Sequence, residues 1–104
     1  GYSAHDPEND RGVISPTAAI SSITYTPEKS LAAMHYFYEN DLMGPAGFYD
    51  AFSPEYNWVA ERYLAIDQGP QIIMIENYRT GLLWNLFMQN EDVQNGLDAL
   101  GFTY

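Results

Sequence analysis

The residues best placed by type to do chemistry lie in one aromatic loop, Gly44–Trp58, GPAGFYDAFSPEYNW. Asp50 sits there between Phe48, Tyr49 and Phe52, with Tyr56 and Trp58 close behind. Flat aromatic faces suit the apolar C–H surface of a sugar, and carboxylates suit its hydroxyls. Acid–base work on a glycosidic bond needs two carboxyl groups, one protonated and one ionised. An Asp buried among rings would have its pKa raised by desolvation. The same residues could equally anchor a loop, with Asp50 capping a turn, and composition leaves both readings open. A second carboxylate, Asp67, opens the stretch Asp67–Asn85, where a helix N-cap is its ordinary role. In the polar start of the chain, GYSAHDPENDRGVIS, Tyr2, His5, Asp6 and Arg11 could line a polar site if that loop is held down. His5 and Asp6 are adjacent, so their side chains diverge, and His35 is the only other imidazole; no metal site is expected.

These residues must be positioned by helices. Ser15-Pro16 and Thr26-Pro27 read as helix starts, with proline at the first helical position. From Thr26, Leu31, Met34, Tyr38 and Leu42 recur on one predicted buried face, with His35 beside it as a partly buried packing residue. Gly44-Pro45 is the expected stop. Asp67-Gln-Gly-Pro70 reads as the next start, and Ile72–Ile75 is apolar on every side, the mark of a helix packed inside a larger body. Glu76 and Arg79 stand at i, i+3 as an ion pair within that packing. Thr80-Gly81 ends or bends the helix, Thr80 capping the next turn, and Leu82, Leu83, Leu86 and Phe87 continue an apolar face. A last helix after Asn90 should bury Val93, Leu97 and Leu100 and end at Gly101. The reading is all-α; only Gly47–Phe52 suggests a short extended piece.

Composition narrows the function. The 104 residues allow one modest domain, and 46% hydrophobic residues suffice for a core. Aromatics reach 15%, high for so short a chain. Four Lys and Arg against 14 Asp and Glu give a formal charge of −10, which disfavours nucleic acid and anionic lipid, since phosphate binding needs clustered cations. Without cysteine there is no disulfide or thiolate metal site. No run approaches the roughly 18 apolar residues of a membrane span. No P-loop, GxSxG or Cys/His pattern is present. The chain begins Gly-Tyr-Ser without Met, as expected where upstream sequence is removed or not included.

Three blocks together, ISPTAAISSITYTPEKSLAAM, GFYDAFSPEYNW and YLAIDQGPQIIMIENYRTGLLWNLFM, resemble the bacterial glucoamylase-like (glycoamylase) domain. That domain is similar to endo-β-1,2-glucanases and to the glycoside-handling module of cyclic β-1,2-glucan synthases. The resemblance implies the C-terminal part of a domain several times longer, an (α/α)6 toroid with its cleft built from inter-helix loops. The N-terminal part of that domain would be the chain's structural partner. It implies hydrolysis of a glucan, β-1,2-linked, with inversion by two carboxyl groups, no metal and no other cofactor. By the same resemblance the general acid lies upstream of this chain. Asp50 becomes the best candidate for the base side and Asp67 the second, while His5, Asp6, Tyr49, Tyr56 and Trp58 are assigned to sugar binding. Periplasmic or surface export is the family's usual destination. A non-catalytic carbohydrate-binding helical module is the competing expectation.

Overall fold

The computed structural model describes residues 6–104. The described residues form five helices and two small hairpins. The helices are α1 (Pro16–Ile20), α2 (Pro27–Glu39), α3 (Ala65–Thr80), α4 (Leu82–Met88) and α5 (Glu91–Ala99). Between α2 and α3 lie β1 (Met43–Gly44), β2 (Gly47–Phe48), β3 (Ala51–Ser53) and β4 (Trp58–Ala60). β1 pairs antiparallel with β2, and β3 with β4, in the register Ala51–Ala60, Phe52–Val59, Ser53–Trp58. The all-α expectation is therefore corrected to a mostly helical chain carrying two two-stranded sheets. The extended piece expected at Gly47–Phe52 corresponds to parts of β2 and β3, interrupted at Tyr49-Asp50.

Proline placement explains the helix starts. Pro16 and Pro27 occupy first-turn positions, where a missing N–H costs nothing. Asn90 caps α5 by accepting from the amides of Asp92 and Val93 at 2.9 and 3.2 Å. α3 departs from expectation: it begins at Ala65, with Leu64 at the N-cap, so Asp67 is not the cap and Pro70 lies inside the helix. α2 ends at Glu39, five residues before Gly44, and the chain turns at Asp41 in the left-handed region (φ 58°). Gly81 breaks α3 from α4 with φ 71°, a backbone that glycine adopts without strain.

The core is small and aromatic. Phe37 of α2 meets Phe48 edge-on at 5.7 Å and Phe52 at 5.5 Å, between Ile20 and Leu42. On α2 the buried positions are Ser30 and Phe37, with Ala33 and Met34 packed alongside. The expected face is thus rotated: Leu31, His35 and Tyr38 are exposed, because Phe37 is the side chain that reaches both hairpins. The Glu76–Arg79 pair forms at 3.4 Å, but at the surface rather than within packing.

Beyond α3 the chain extends outward. Asn77, buried, accepts from the Trp84 amide at 3.0 Å and ties α4 to α3, and Tyr25 meets Trp84 ring to ring at 6.1 Å. Leu82, Leu86 and Phe87 are exposed, and so is Leu100 at 75%; Val93 and Leu97 are only partly covered. The predicted burial along α4 and α5 is therefore only partial. The radius of gyration, 16.5 Å, exceeds the roughly 13 Å of a compact chain of this length.

Candidate active site and aromatic cleft

The loop after β2 and the first turn of α3 bring two carboxyl groups together. Asp50 immediately precedes β3, and its amide donates to Arg62 O at 3.1 Å, closing the open end of the β3–β4 hairpin. Asp67 lies in the first turn of α3, where a carboxylate complements the helix dipole. Both are buried, at 6% and 7% exposure, and their side chains hydrogen-bond to each other. A carboxylate so close by makes ionisation of Asp50 costly. Asp50 is pushed up to about 6, first by burial, then by the hydrogen bond with Asp67 and by its charge, with Arg62 pulling weakly the other way. Its Oδ1 is buried without a hydrogen-bond partner.

The surroundings are built to hold this pair. Gln68 Nε2 donates to Phe48 O at 3.0 Å, fastening α3 to β2. Tyr63 Oη accepts from the Ala46 amide at 3.2 Å and donates to Gly47 O at 3.3 Å, clamping the β1–β2 turn. Tyr49 stacks on Tyr63 with centroids 5.9 Å apart. Its own phenol is shifted upward by burial and by Glu61. Gly44 passes so close beneath these rings that a Cβ would collide with Tyr63 Oη and the Tyr49 ring.

A second feature lies at the far end of β3. A cleft of about 650 Å³ is lined by Asp10, Arg11, Val13, Ser53, Tyr56 and Trp58. The N-terminal segment is held there because Ile14 exchanges both backbone hydrogen bonds with Phe52, at 2.8 and 2.9 Å. Strand alternation puts Asp50 and Phe52 on the helix-facing side of β3 and Ser53, with its cross-strand partner Trp58, on the other.

The sequence-predicted residues therefore divide. Asp50 and Asp67 come together, with Tyr49 beside them. Tyr56, Trp58 and Arg11 come together in the cleft. Asp6 joins neither: it is exposed, and its Oδ1 accepts from the amides of Glu8 and Asn9 to hold a turn. His5 and Tyr2 lie outside the described residues. Sequence reasoning missed Asp10 and Ser53 in the cleft and Gln68 as a clamp. The signal in that segment is its run of turn-forming residues, Pro7, Asn9, Asp10 and Gly12. Among the described residues no cluster of three or more His, Cys, Asp or Glu is placed to hold a metal, and no helix is long and apolar enough to cross a membrane.

Comparison with known proteins gives a consistent picture. Residues 1–91 match the glycoamylase family, described as "Putative glucoamylase". A solved structure under the same description, from Bacteroides uniformis, is 67% identical with TM-score 0.93, over 99% of this chain and 26% of its own. An endo-β-1,2-glucanase from Chitinophaga pinensis, solved with sophorotriose and glucose, is 56% identical with TM-score 0.88, over 94% of this chain and 25% of its own. An exo β-1,2-glucooligosaccharide sophorohydrolase from Parabacteroides distasonis is 44% identical over 95% of this chain. The chain spans 14% of that curated relative and about a quarter of the two solved chains. By the extent of the family match, this chain belongs to the glycoamylase family.

Proposed function

We propose that this chain is the C-terminal part of an (α/α)6 catalytic domain that hydrolyses a β-1,2-linked glucan with inversion. The observation that carries the reading is the buried carboxyl pair Asp50–Asp67, and two relatives described as β-1,2-glucan hydrolases support it. The pair is too close to be the two partners of inversion, which stand roughly 6.5–9.5 Å apart to admit a water. Asp50 is then the base side, its proton affinity raised first by burial and then by Asp67. The general acid comes from another segment of the longer domain, so residues 1–104 alone are inactive.

The base must be ionised to take a proton from water, and a carboxyl with a pKa near 6 is a stronger base than an ordinary one. The test is the full-length protein with β-1,2-glucan, its products followed by chromatography and by NMR of the new anomeric centre. Asp50→Asn should lower kcat by at least a thousandfold, and the wild type should release the α-anomer first. Full activity in Asp50→Asn would remove Asp50 from the chemistry. The aromatic cleft favours a second reading, a carbohydrate-binding module; glucan bound but never cut by the wild type would establish it.

A further inference from the structure

We propose that the cleft between residues 10–13 and the β3–β4 hairpin is a separate glucan-holding site, gripping the chain away from the bond that reacts. The inference rests on the reading of the substrate as a β-1,2-glucan. Three observations carry it. The cavity, about 650 Å³, lies within the roughly 300–1,000 Å³ common for ligand sites. Trp58 and Tyr56 line it while remaining exposed, which leaves ring faces open to the C–H surface of a sugar. Ser53, only 1% exposed, lines the same cavity with its Oγ lacking any hydrogen-bond partner. A buried hydroxyl left unmatched costs stability, so such groups mark places where a partner is supplied by something else.

The charged residues suit a neutral polyol. Arg11 makes no ion pair among the described residues. Asp10 beside it spends Oδ1 on the Gly12 amide at 2.8 Å, and its other oxygen remains available. A guanidinium and a carboxylate side by side can donate to and accept from a vicinal diol. In a β-1,2-linked glucan every internal unit keeps its 3- and 4-hydroxyls as such a diol.

The site is distinct from the carboxyl pair. Asp50 and Ser53 stand at opposite ends of β3, roughly 10 Å apart along the strand and on opposite faces. A glucan held at Trp58 therefore does not present the same unit to Asp50, and only a long chain occupies both places. Gly12 lies on the same side, where the carboxylate of Glu55 reaches it from the hairpin turn.

The experiment uses the full-length protein and β-1,2-glucooligosaccharides from sophorotriose to long chains. Arg11→Gln, Ser53→Ala and Trp58→Ala should each raise the KM for long chains relative to the KM for sophorotriose, by at least tenfold for Trp58→Ala. Calorimetric titration in the Asp50→Asn background should show the same dependence on length. Ser53→Ala should leave the melting temperature unchanged or higher, since it deletes an unpartnered group. Equal effects on short and long substrates, or none, would overturn the site while leaving the catalytic reading intact. A wild type that neither binds nor cuts β-1,2-glucan would instead overturn the reading on which it rests.

Discussion

Replacing Asp50 by Asn should stabilise the protein above pH 6 while abolishing its activity. Asp50 is raised from an ordinary 3.8 to about 6 by burial and by Asp67. That difference, at 1.36 kcal/mol per unit, corresponds to about 3 kcal/mol. The sign follows from proton counting. Below pH 4 both folded and unfolded chains hold the proton, and Asp50 costs nothing. Between pH 4 and 6 the folded state keeps it while the unfolded state loses it, so stability falls with rising pH. Above pH 6 the penalty is complete. The substituted asparagine carries no charge, and its amide can donate to Asp67, so the penalty disappears. Urea denaturation of the full-length protein from pH 4 to 8 reads the difference directly. Asp50→Asn and wild type should differ by less than about 1 kcal/mol at pH 4 and by up to about 3 kcal/mol at pH 7.5, the variant being more stable. A difference that does not change with pH, or that favours wild type at pH 7.5, would refute the raised proton affinity of Asp50.

Burial raises Asp50 first and Asp67 adds to it, so Asp67→Asn should move the acidic limb of the pH–rate profile below pH 6; a limb that stays in place would show burial alone responsible. Gly44→Ala should destabilise by about 1–3 kcal/mol, since Tyr63 is held by two hydrogen bonds and cannot yield to the new methyl; a urea midpoint equal to wild type would show that the rings give way. Asn77→Ala leaves the Trp84 amide without its acceptor and should cost about 1–3 kcal/mol. Hydrogen exchange at the Trp84 amide should rise with it, and unchanged protection there would mean that α4 is held by something else.

What the sequence made readable was local. The proline starts of α1 and α2, the Asn90 cap and the Gly81 break each follow from one residue's backbone chemistry acting on its neighbours. The hairpins were not readable, because strands of two and three residues are too short to show alternation, and β3 is buried throughout. The β3–β4 turn uses Asn57 at positive φ rather than a glycine. Asp50 stood out by its aromatic neighbours, but its meeting with Asp67 is long-range and no spacing rule announces it. Asp67 reads as a cap because Pro70 suggests a start; the helix instead begins at Ala65, placing Asp67 in the first turn. Ser53 carries no sequence signal. Its importance comes from the strand beneath it and the loop above.

Helix α3 explains why the polar and apolar expectations pulled apart. Its buried residues are all polar, Asp67, Gln71 and Asn77, while Ile66, Ile72 and Ile73 are exposed, Ile72 by 71%. A helix selected only to pack on the body described here would have the reverse arrangement, since the hydrophobic effect rewards covering isoleucine and penalises covering carboxylates. The polar side is accounted for by contacts: Asp67 meets Asp50, Gln71 Nε2 donates to Asp67 O at 3.1 Å, and Asn77 receives Trp84. The apolar side is accounted for by none of the described residues. Covering what remains exposed of the three isoleucines would contribute roughly 3–6 kcal/mol, a large share of the stability of an ordinary domain. In the longer (α/α)6 domain proposed above, the remaining helices would supply that cover. Packing there would also hold α3 rigidly enough to keep Asp67 against Asp50.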